Sequence, residues 1–339
     1  MPLLSAAYAI PNVAARPVIV MLFAVMLAGC SGPQSALAPA GEGAERLASL
    51  FWVMAVGAAV IWAVVVGAAV YASRVRPGPH SERAASALLL GGGIVFSTAV
   101  LTGLLIYGLM LMTELRAPGD GGLKIAVAGE QWWWRVRYLP PGRSQPIESA
   151  NEVRLPLGQR VELELTSPDV IHSFWIPPLG GKVDMIPGRV TRLVLEPTRT
   201  GVFRGQCAEF CGTSHALMAF SVVVLEPPAF EDWLAEAAAT ATAPGSPAAA
   251  RGQALFLQVG CGGCHAVRGT AADGQIGPDL THVASRATLG AGTLANTFEA
   301  LVRWIAHTET VKPDVRMPAF GALPEAHIEA IARYLEQLE

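Results

Sequence analysis

The hydrophobic pattern of the N-terminal third is dominated by two long stretches that contain no charged residue. The first lies between Arg46 and Arg74, and the second lies between Arg83 and Glu114. A helix needs about 20 apolar residues to cross the ~30 Å hydrocarbon core of a bilayer, and both stretches exceed that length. The pattern therefore predicts a transmembrane hairpin, which we place at residues 47–112.

The charge of the short connection orients this hairpin. The connection carries Arg74, Arg76 and Arg83 against the single acid Glu82. Short positively charged loops stay in the cytoplasm, so both ends of the hairpin should face the outer side of the membrane. Everything after Glu114 is then expected in the periplasm or outside the cell, where free thiols tend to oxidise.

A shorter apolar run precedes the hairpin. It follows Arg16, is too short to span a bilayer, and ends in the sequence LAGC at residues 27–30. Small residues before a cleavage point mark a secretory signal, and this sequence resembles a bacterial lipobox, whose cysteine is lipidated. The alternative is a lone cysteine in an apolar stretch. We expect a signal peptide at 1–29, lipidation of Cys30, and a tether rich in Ser, Pro, Gly and Ala at 30–46.

After the hairpin the pattern changes to short runs that alternate with a period of two. Such runs occur at residues 124–127, 161–165 and 192–195, and Gly and Pro separate them. Alternation at this short spacing favours a β-sandwich or barrel. We therefore expect an all-β unit at 113–230, called the β domain below.

Composition divides the chain once more. The segment 236–250 consists almost entirely of Ala, Thr, Pro, Gly and Ser, which is typical of a linker stiffened a little by proline. We place the linker at 231–250 and a last unit, called the C-terminal domain below, at 251–339. The whole chain is therefore expected to be a multidomain membrane protein.

Overall composition supports this division and excludes some functions. Hydrophobic residues make up 52% and charged residues 15% of the chain, against roughly 45–50% and ~25% in soluble proteins. The formal net charge of -3 excludes a strongly basic nucleic-acid binder. Five cysteines are too few for a disulfide scaffold, and four of them form two close pairs.

The first cysteine pair belongs to a cluster of soft metal ligands in the β domain. Cys207, Cys211, His215 and Met218 are close in sequence, and His172 lies upstream. Thiolates with imidazoles select copper, and two bridging thiolates that share two copper ions would use every group. A disulfide or redox pair would leave both histidines without a role, and a Cys2His2 zinc site would leave the methionine without one.

The second cysteine pair lies in the C-terminal domain. The run from Cys261 through Cys264 to His265 has the C-x-x-C-H pattern of covalent c-type haem attachment. A thioredoxin-like redox pair is the alternative, but its βαβ context is missing. Met317 is the only methionine after Met218, and a Met/His pair raises the haem potential. Three histidines compete with this methionine for the iron: His282, His307 and His327.

Three consecutive tryptophans, Trp132, Trp133 and Trp134, follow the first alternating run. In a strand their rings would point to both faces, so at least one should be exposed. Ordinary packing inside the barrel is the alternative interpretation.

Taken together, these motifs resemble subunit II of haem-copper cytochrome c oxidase over about residues 47–226. The resemblance rests on the Cys-x-Glu-x-Cys-x3-His-x2-Met run at 207–218, the His-Ser-Phe at 172–174 and the stretch at 181–189. It implies a cupredoxin-like Greek-key β-barrel that carries a dinuclear CuA centre. The implied copper ligands are His172, Cys207, the carbonyl of Glu209, Cys211, His215 and Met218.

The same resemblance implies further roles. The carboxylate of Glu209 would reach a Mg2+ ion at the contact with subunit I, and the three tryptophans would form the patch where electrons enter. Trp133 stands where the family has a tyrosine. The family often has a glutamate near a proton-uptake entrance, and whether Glu82 serves there or is a solvated loop acid stays open.

The order of all segments is similar to subunit II of caa3-type cytochrome c oxidase, which has a fused all-α class I cytochrome c domain. That implies electron flow from cytochrome c through haem c and CuA to haem a of subunit I, where O2 reduction drives proton translocation. Implied partners are subunit I, subunit III, cytochrome c and membrane lipid, with no nucleic acid, at the bacterial inner membrane. A CuA-containing nitric oxide reductase subunit would share this architecture; a membrane-anchored copper chaperone would need neither Met218 nor a covalent haem.

Overall fold

The computed structural model describes residues 32–79, 81–117 and 122–339. The predicted signal peptide at 1–29 and the predicted lipidation site Cys30 lie outside the described residues.

Two long apolar helical spans come first. Helix α1 (Glu42–Val70) continues through a π-helical turn, Tyr71–Val75. The second span is built from α2, a π-helical stretch and α3, with bounds Glu82–Ala87, Leu88–Phe96 and Ser97–Leu115. Each span has 34 residues and is long and apolar enough to cross a membrane, and its apolar side chains are almost all uncovered by the described chain. The two predicted apolar helices are confirmed.

The segment before α1 is bound to the β domain. The Ala40 amide donates to the carbonyl of Pro178 at 2.7 Å, and the Thr198 amide donates to Ala40 at 2.8 Å. Gly41 pairs with Pro197 as in a sheet, and a Cβ atom there would lie 2.6 Å from the Leu179 carbonyl oxygen. The described part of the predicted tether is therefore fixed against the β domain, because its backbone groups have hydrogen-bond partners there.

The β domain consists of two five-stranded sheets that pack face to face. One sheet has the order β3-β2-β1-β5-β8, and the other has the order β4-β10-β9-β6-β7. Their bounds are β1 Lys124–Glu130, β2 Trp133–Leu139, β3 Ile147–Ala150, β4 Glu152–Pro156, β5 Val161–Thr166, β6 His172–Trp175, β7 Val183–Met185, β8 Thr191–Leu195, β9 Gly201–Cys207 and β10 Ala219–Leu225. The three alternating runs became β1, β5 and β8, and the cupredoxin-like fold is confirmed.

An aromatic cluster fills the space between the sheets. The ring of Trp134 meets those of Phe174 and Phe220 edge-on, with centroids 5.5 Å and 5.1 Å away. The Phe220 ring leaves no room for a side chain at Gly205, where a Cβ atom would lie 2.1 Å from it. This packing holds β6, β9 and β10 together at the end of the sandwich.

Helix α4 (Pro227–Ala237) extends the β domain into the region predicted as linker. Its Trp233 ring packs against Tyr138 at a centroid distance of 5.0 Å, and Phe230 and Leu234 are buried beside it. The unstructured connection is therefore shorter than 231–250, because the apolar face of α4 binds the sheet.

The C-terminal domain is helical, as predicted. It contains α5 Pro247–Gln258, α6 Phe298–Ala306, α7 Thr308–Val311 and α8 Glu325–Leu335, with two short strands at Thr288–Leu289 and Leu294–Ala295. Ser246 caps α5 by accepting a hydrogen bond from the Ala249 amide at 3.2 Å. Helices α5 and α8 cross closely at Gly252, where a Cβ atom would lie 1.9 Å from the Ala330 carbonyl oxygen.

The C-terminal domain packs directly on the β domain. The Ala219 amide donates to Ala291 at 3.0 Å, and the Ala287 amide donates to the Glu152 carboxylate at 3.0 Å. Near them, the Arg135 guanidinium donates to the carbonyl of Gln275 at 2.9 Å. The two domains thus share a hydrogen-bonded interface in addition to the linker.

Gly252→Ala should destabilise the C-terminal domain. A methyl group in an unstrained exposed helix would stabilise by about 1 kcal/mol, but here it collides with α8, and overpacking costs about 1–3 kcal/mol. Amide hydrogen exchange in α8 of the full chain should therefore be faster in the variant. Ala254→Ser on the exposed face of α5 is the control. Unchanged exchange in Gly252→Ala would contradict the close crossing.

Candidate functional site

Two cysteines form the centre of the candidate metal site. Cys207 ends β9, Cys211 lies in the loop that follows, and their sulfur atoms are 3.8 Å apart. A disulfide bond requires about 2.05 Å, so this pair is not bonded, and both thiols are free and buried. The arrangement leaves two adjacent sulfur ligands buried side by side.

Each sulfur atom has its own imidazole. His172, at the start of β6, places Nδ1 3.8 Å from the Cys207 sulfur. His215, in the turn after the cysteine loop, places Nδ1 3.5 Å from the Cys211 sulfur. Strand pairing explains the first contact, because β6 and β9 are antiparallel neighbours with Phe174 opposite Cys207.

The two remaining predicted ligands divide in the same way. The Met218 sulfur lies 3.8 Å from the Cys211 sulfur, and the carbonyl oxygen of Glu209 lies 3.2 Å from the Cys207 sulfur. The structure therefore brings all six residues together in two sets of one thiol, one imidazole and one weak donor. This soft donor set fits two copper ions that share the thiolates.

The two thiols influence each other's protonation. The hydrogen bond from Cys211 has the largest effect on Cys207 and lowers its pKa to about 4, against the opposing effect of burial. The same contact raises the pKa of Cys211, and burial adds to that shift. Burial lowers the pKa of His172, but its hydrogen bonds to Cys207 and Asp169 outweigh burial and raise it. These shifts favour the thiolate form of Cys207, the form that binds metal.

Asp169 orients the His172 ring, and sequence reasoning gave it no role. Its carboxylate lies 2.9 Å from Nε2 of His172 and also accepts the Gln131 amide at 2.7 Å. The ring must then present Nδ1 to the sulfur of Cys207. Gly129 leaves space for it, since a Cβ atom there would lie 3.0 Å from the ring. The available signal was an aspartate three residues before a ligand histidine.

The C-x-x-C-H motif lies at the wall of a cavity of about 300 Å³ in the C-terminal domain. Cys261, Cys264 and His265 line this cavity together with apolar side chains of α6 and α8. The Nδ1 atom of His265 donates to the Pro278 carbonyl at 2.8 Å, which leaves Nε2 free to bind a metal. Gly277 is required beside this ring, where a Cβ atom would approach within 2.5 Å. Burial lowers the pKa of His265, which favours the neutral imidazole.

Met317 also lines this cavity, whereas the three competing histidines are absent from its described lining. The ring nitrogens of His282 instead face the carbonyl oxygens of Glu339 at 2.6 Å and Ala239 at 3.2 Å. Two thiols, a free imidazole nitrogen and a thioether around an apolar cavity fit a covalently bound haem.

The three tryptophans occupy different places. Trp134 points into the core of the β domain and is fully buried, because side chains alternate along β2. Trp132 and Trp133, which belong to the β domain, line the same cavity as Cys264 and His265 of the C-terminal domain. Trp133 is half-buried under the Arg135 guanidinium, 4.6 Å from its ring centre. None of the three rings is exposed, so the prediction of an exposed ring is wrong: Trp132 and Trp134 are buried, and Trp133 is partly covered.

Trp132 contacts both candidate sites. Its indole N–H donates to the carbonyl of Cys211 at 3.0 Å, and its ring forms part of the cavity wall. The Gln131 side chain donates to the same carbonyl at 2.8 Å. Beside them lies Lys312, a buried residue that sequence reasoning missed; burial lowers its pKa to about 7, and the nearby Cys211 opposes that shift.

Comparison with known families agrees with this geometry. Residues 123–225 match the family described as cytochrome C oxidase subunit II, periplasmic domain, and residues 249–339 match the cytochrome c family.

Two relatives and one solved structure are similar to this chain. A cytochrome c oxidase subunit 2 of Alkalihalophilus pseudofirmus is 38% identical over 221 residues, which cover 65% of this chain and 63% of that protein. A cytochrome c oxidase subunit 2 of Bacillus subtilis is 29% identical over 348 residues, which cover 95% of this chain and 96% of that protein. The crystallised periplasmic domain of subunit II of cytochrome oxidase from Bradyrhizobium japonicum is 32% identical, with a TM-score of 0.32, covering 35% of this chain and 94% of that chain.

The chain thus spans less than two thirds of the first relative's length and nearly all of the second's. The two domain matches follow the order expected from the motifs, so the resemblance is confirmed. The chain belongs to the cytochrome c oxidase subunit II family and carries a cytochrome c domain at its C-terminal end.

Proposed function

We propose that this chain is the electron-transfer subunit of a terminal oxidase. Electrons from cytochrome c enter the C-terminal domain, pass to a dinuclear copper centre in the β domain and leave for haem a of subunit I. Oxygen reduction and proton translocation take place in subunit I, and subunit III completes the complex. The two apolar helices anchor the chain in the bacterial inner membrane, with both domains on the periplasmic side.

The observation that supports this route is the position of Trp132. Its ring forms part of the wall of the cavity that holds Cys264 and His265, and its indole N–H bonds to the carbonyl of Cys211. One buried side chain therefore connects the candidate haem site with the candidate copper site. The two domains are in contact there.

The residues of the β domain bury and orient the proposed copper ligands. A dinuclear copper centre held by these residues would supply one-electron chemistry. The chain contributes to this by burying Cys207, Cys211 and Met218, by fixing the ring of His172 through Asp169, and by excluding water. A ligand set held by a packed core has little freedom to rearrange.

The C-terminal domain supplies the residues that would hold the haem. Cys261 and Cys264 would hold a haem covalently, and His265 would bind its iron through Nε2 while its Nδ1 stays bonded to Pro278. Met317 would also bind the iron. A bound haem with this pair supplies reversible one-electron chemistry at high potential.

The face for subunit I lies beside the copper ligands. Phe210 is 77% exposed between Glu209 and Cys211, so a large apolar ring stands uncovered next to the metal site. We expect subunit I to cover this ring, and the half-buried carboxylate of Glu209 to reach a Mg2+ ion at that contact.

Metal analysis tests the copper site. The purified chain should bind about two copper ions and show a mixed-valence spectrum, because two thiolates bridge the metals. Cys207→Ser should abolish the delocalised spectrum. Met218→Leu should retain copper but change its potential, whereas Met110→Leu, at an exposed methionine of α3, should change neither. One zinc ion and no copper would contradict the proposal.

Removal of covalent haem tests the route. Cys264→Ala should slow the oxidation of external cytochrome c on the order of tenfold or more, because the copper site loses the donor held beside it. Small artificial reductants should still reduce the copper site at the normal rate. An unchanged rate with external cytochrome c would show that electrons enter elsewhere.

Replacement of the axial methionine tests the haem site. A thioether favours Fe(II), so Met317→His should keep the haem low-spin but lower its potential, roughly by hundreds of mV within the ~0.8 V range of axial ligands. Redox titration of the full chain measures this change. His282→Ala is the control and should leave the potential unaltered. If Met317→Ala changed neither spin state nor potential, another side chain would hold that position.

A further inference from the structure

Among the residues that the structure describes, Lys312 is a buried lysine at the interface between the two domains. It lies in the loop between α7 and α8, and only 1% of its surface is exposed. Its ammonium group donates to three backbone carbonyl groups, those of Trp132 at 2.7 Å, Leu217 at 2.8 Å and Gly290 at 2.8 Å. Three N–H donors are thus matched by three acceptors.

The three acceptors come from functionally distinct segments. Trp132 belongs to the turn between β1 and β2 that lines the haem cavity. Leu217 lies in the β domain between the predicted copper ligands His215 and Met218. Gly290 belongs to the C-terminal domain, in which its carbonyl also accepts from Thr293. One side chain therefore joins the ligand loop of one site to the walls of the other.

Separation of the domains would break this arrangement at once. The carbonyl of Pro313, next to Lys312, also accepts a hydrogen bond from the Ser214 hydroxyl of the β domain at 2.6 Å. In the closed interface the hydrogen bonds from Lys312 pair three carbonyl groups from both domains, and without the Lys312 side chain those carbonyl groups would be buried without a donor, which is unfavourable. The contact therefore favours one relative orientation of the two domains.

We propose that Lys312 is a positioning residue that locks the C-terminal domain onto the β domain, so that electrons pass between the two sites in one fixed arrangement. This inference rests on the proposed function and deepens it. Trp132 and Trp133 stay covered in the locked state, so an external donor docks on the C-terminal domain instead of on these rings.

The test compares the assembled wild-type oxidase with Lys312→Met, which keeps most of the stem but removes the charge and its three hydrogen bonds. After flash reduction of haem c, wild-type transfer to copper should be independent of solvent viscosity. In Lys312→Met it should become about tenfold slower and decrease further as glycerol is added, because the domains must first find each other. The haem and copper contents should equal those of the wild type, so that slower transfer cannot be attributed to a missing cofactor.

A second readout does not depend on electron transfer. The amides of Ala219 and Ala287 bond across the interface. Peptides that contain them should exchange hydrogen about tenfold faster in Lys312→Met than in wild type. Lys124→Met, the same change at a half-exposed lysine of the β domain, should alter neither exchange nor transfer. Should Lys312→Met fail to accumulate, Lys312→Gln keeps an amide donor and should give an intermediate rate and intermediate exchange.

Two results would contradict the role of Lys312 while leaving the proposed function intact. One is electron transfer that depends on viscosity in the wild-type protein. The other is a Lys312 variant whose electron transfer and amide hydrogen exchange equal those of the wild type. A wild-type protein that holds both cofactors but shows no transfer between them would overturn the proposed function as well.

Discussion

Holding two cysteine sulfurs 3.8 Å apart without a bond between them is the constraint on which the β domain depends. Cys207 is fixed because it ends β9, a strand bonded on both sides by β6 and β10. Cys211 is fixed by its carbonyl, which accepts from Gln131 and Trp132. These hydrogen bonds are accepted or donated by backbone groups, so they hold the chain and leave both sulfur atoms free to bind metal.

The same restraint connects the second domain to the site. Trp132 supports the Cys211 loop with its indole, forms a wall of the haem cavity with its ring, and accepts from Lys312 with its carbonyl. Trp132 therefore contributes to the cysteine loop, to the cavity wall and to the contact between the two domains. Direct contacts of Trp132 thus link the C-terminal domain to the cysteine loop.

Several elements were predictable because local chemistry specifies them. The apolar spans follow from the length that a bilayer requires, and β1, β5 and β8 follow from the alternation of apolar residues. The predicted bounds of the linker, 231–250, were less accurate, because a helix occupies its first residues. Helix α4 lies there because Phe230 and Leu234 bury against the β domain, a contact that composition does not show.

The sequence by itself determined the candidate ligands, because coordination chemistry requires particular donor atoms at short spacing, as in the runs at 207–218 and 261–265. Tertiary structure alone decided which tryptophan connects the sites: alternation along β2 buried Trp134 in the core, while Trp132 reached the cavity. It also decided the role of Lys312, whose acceptor Trp132 is 180 positions away in the chain. A lone lysine in a polar loop carries no sign of such a contact, since hydrogen bonds between distant segments arise only when both domains have folded and packed together.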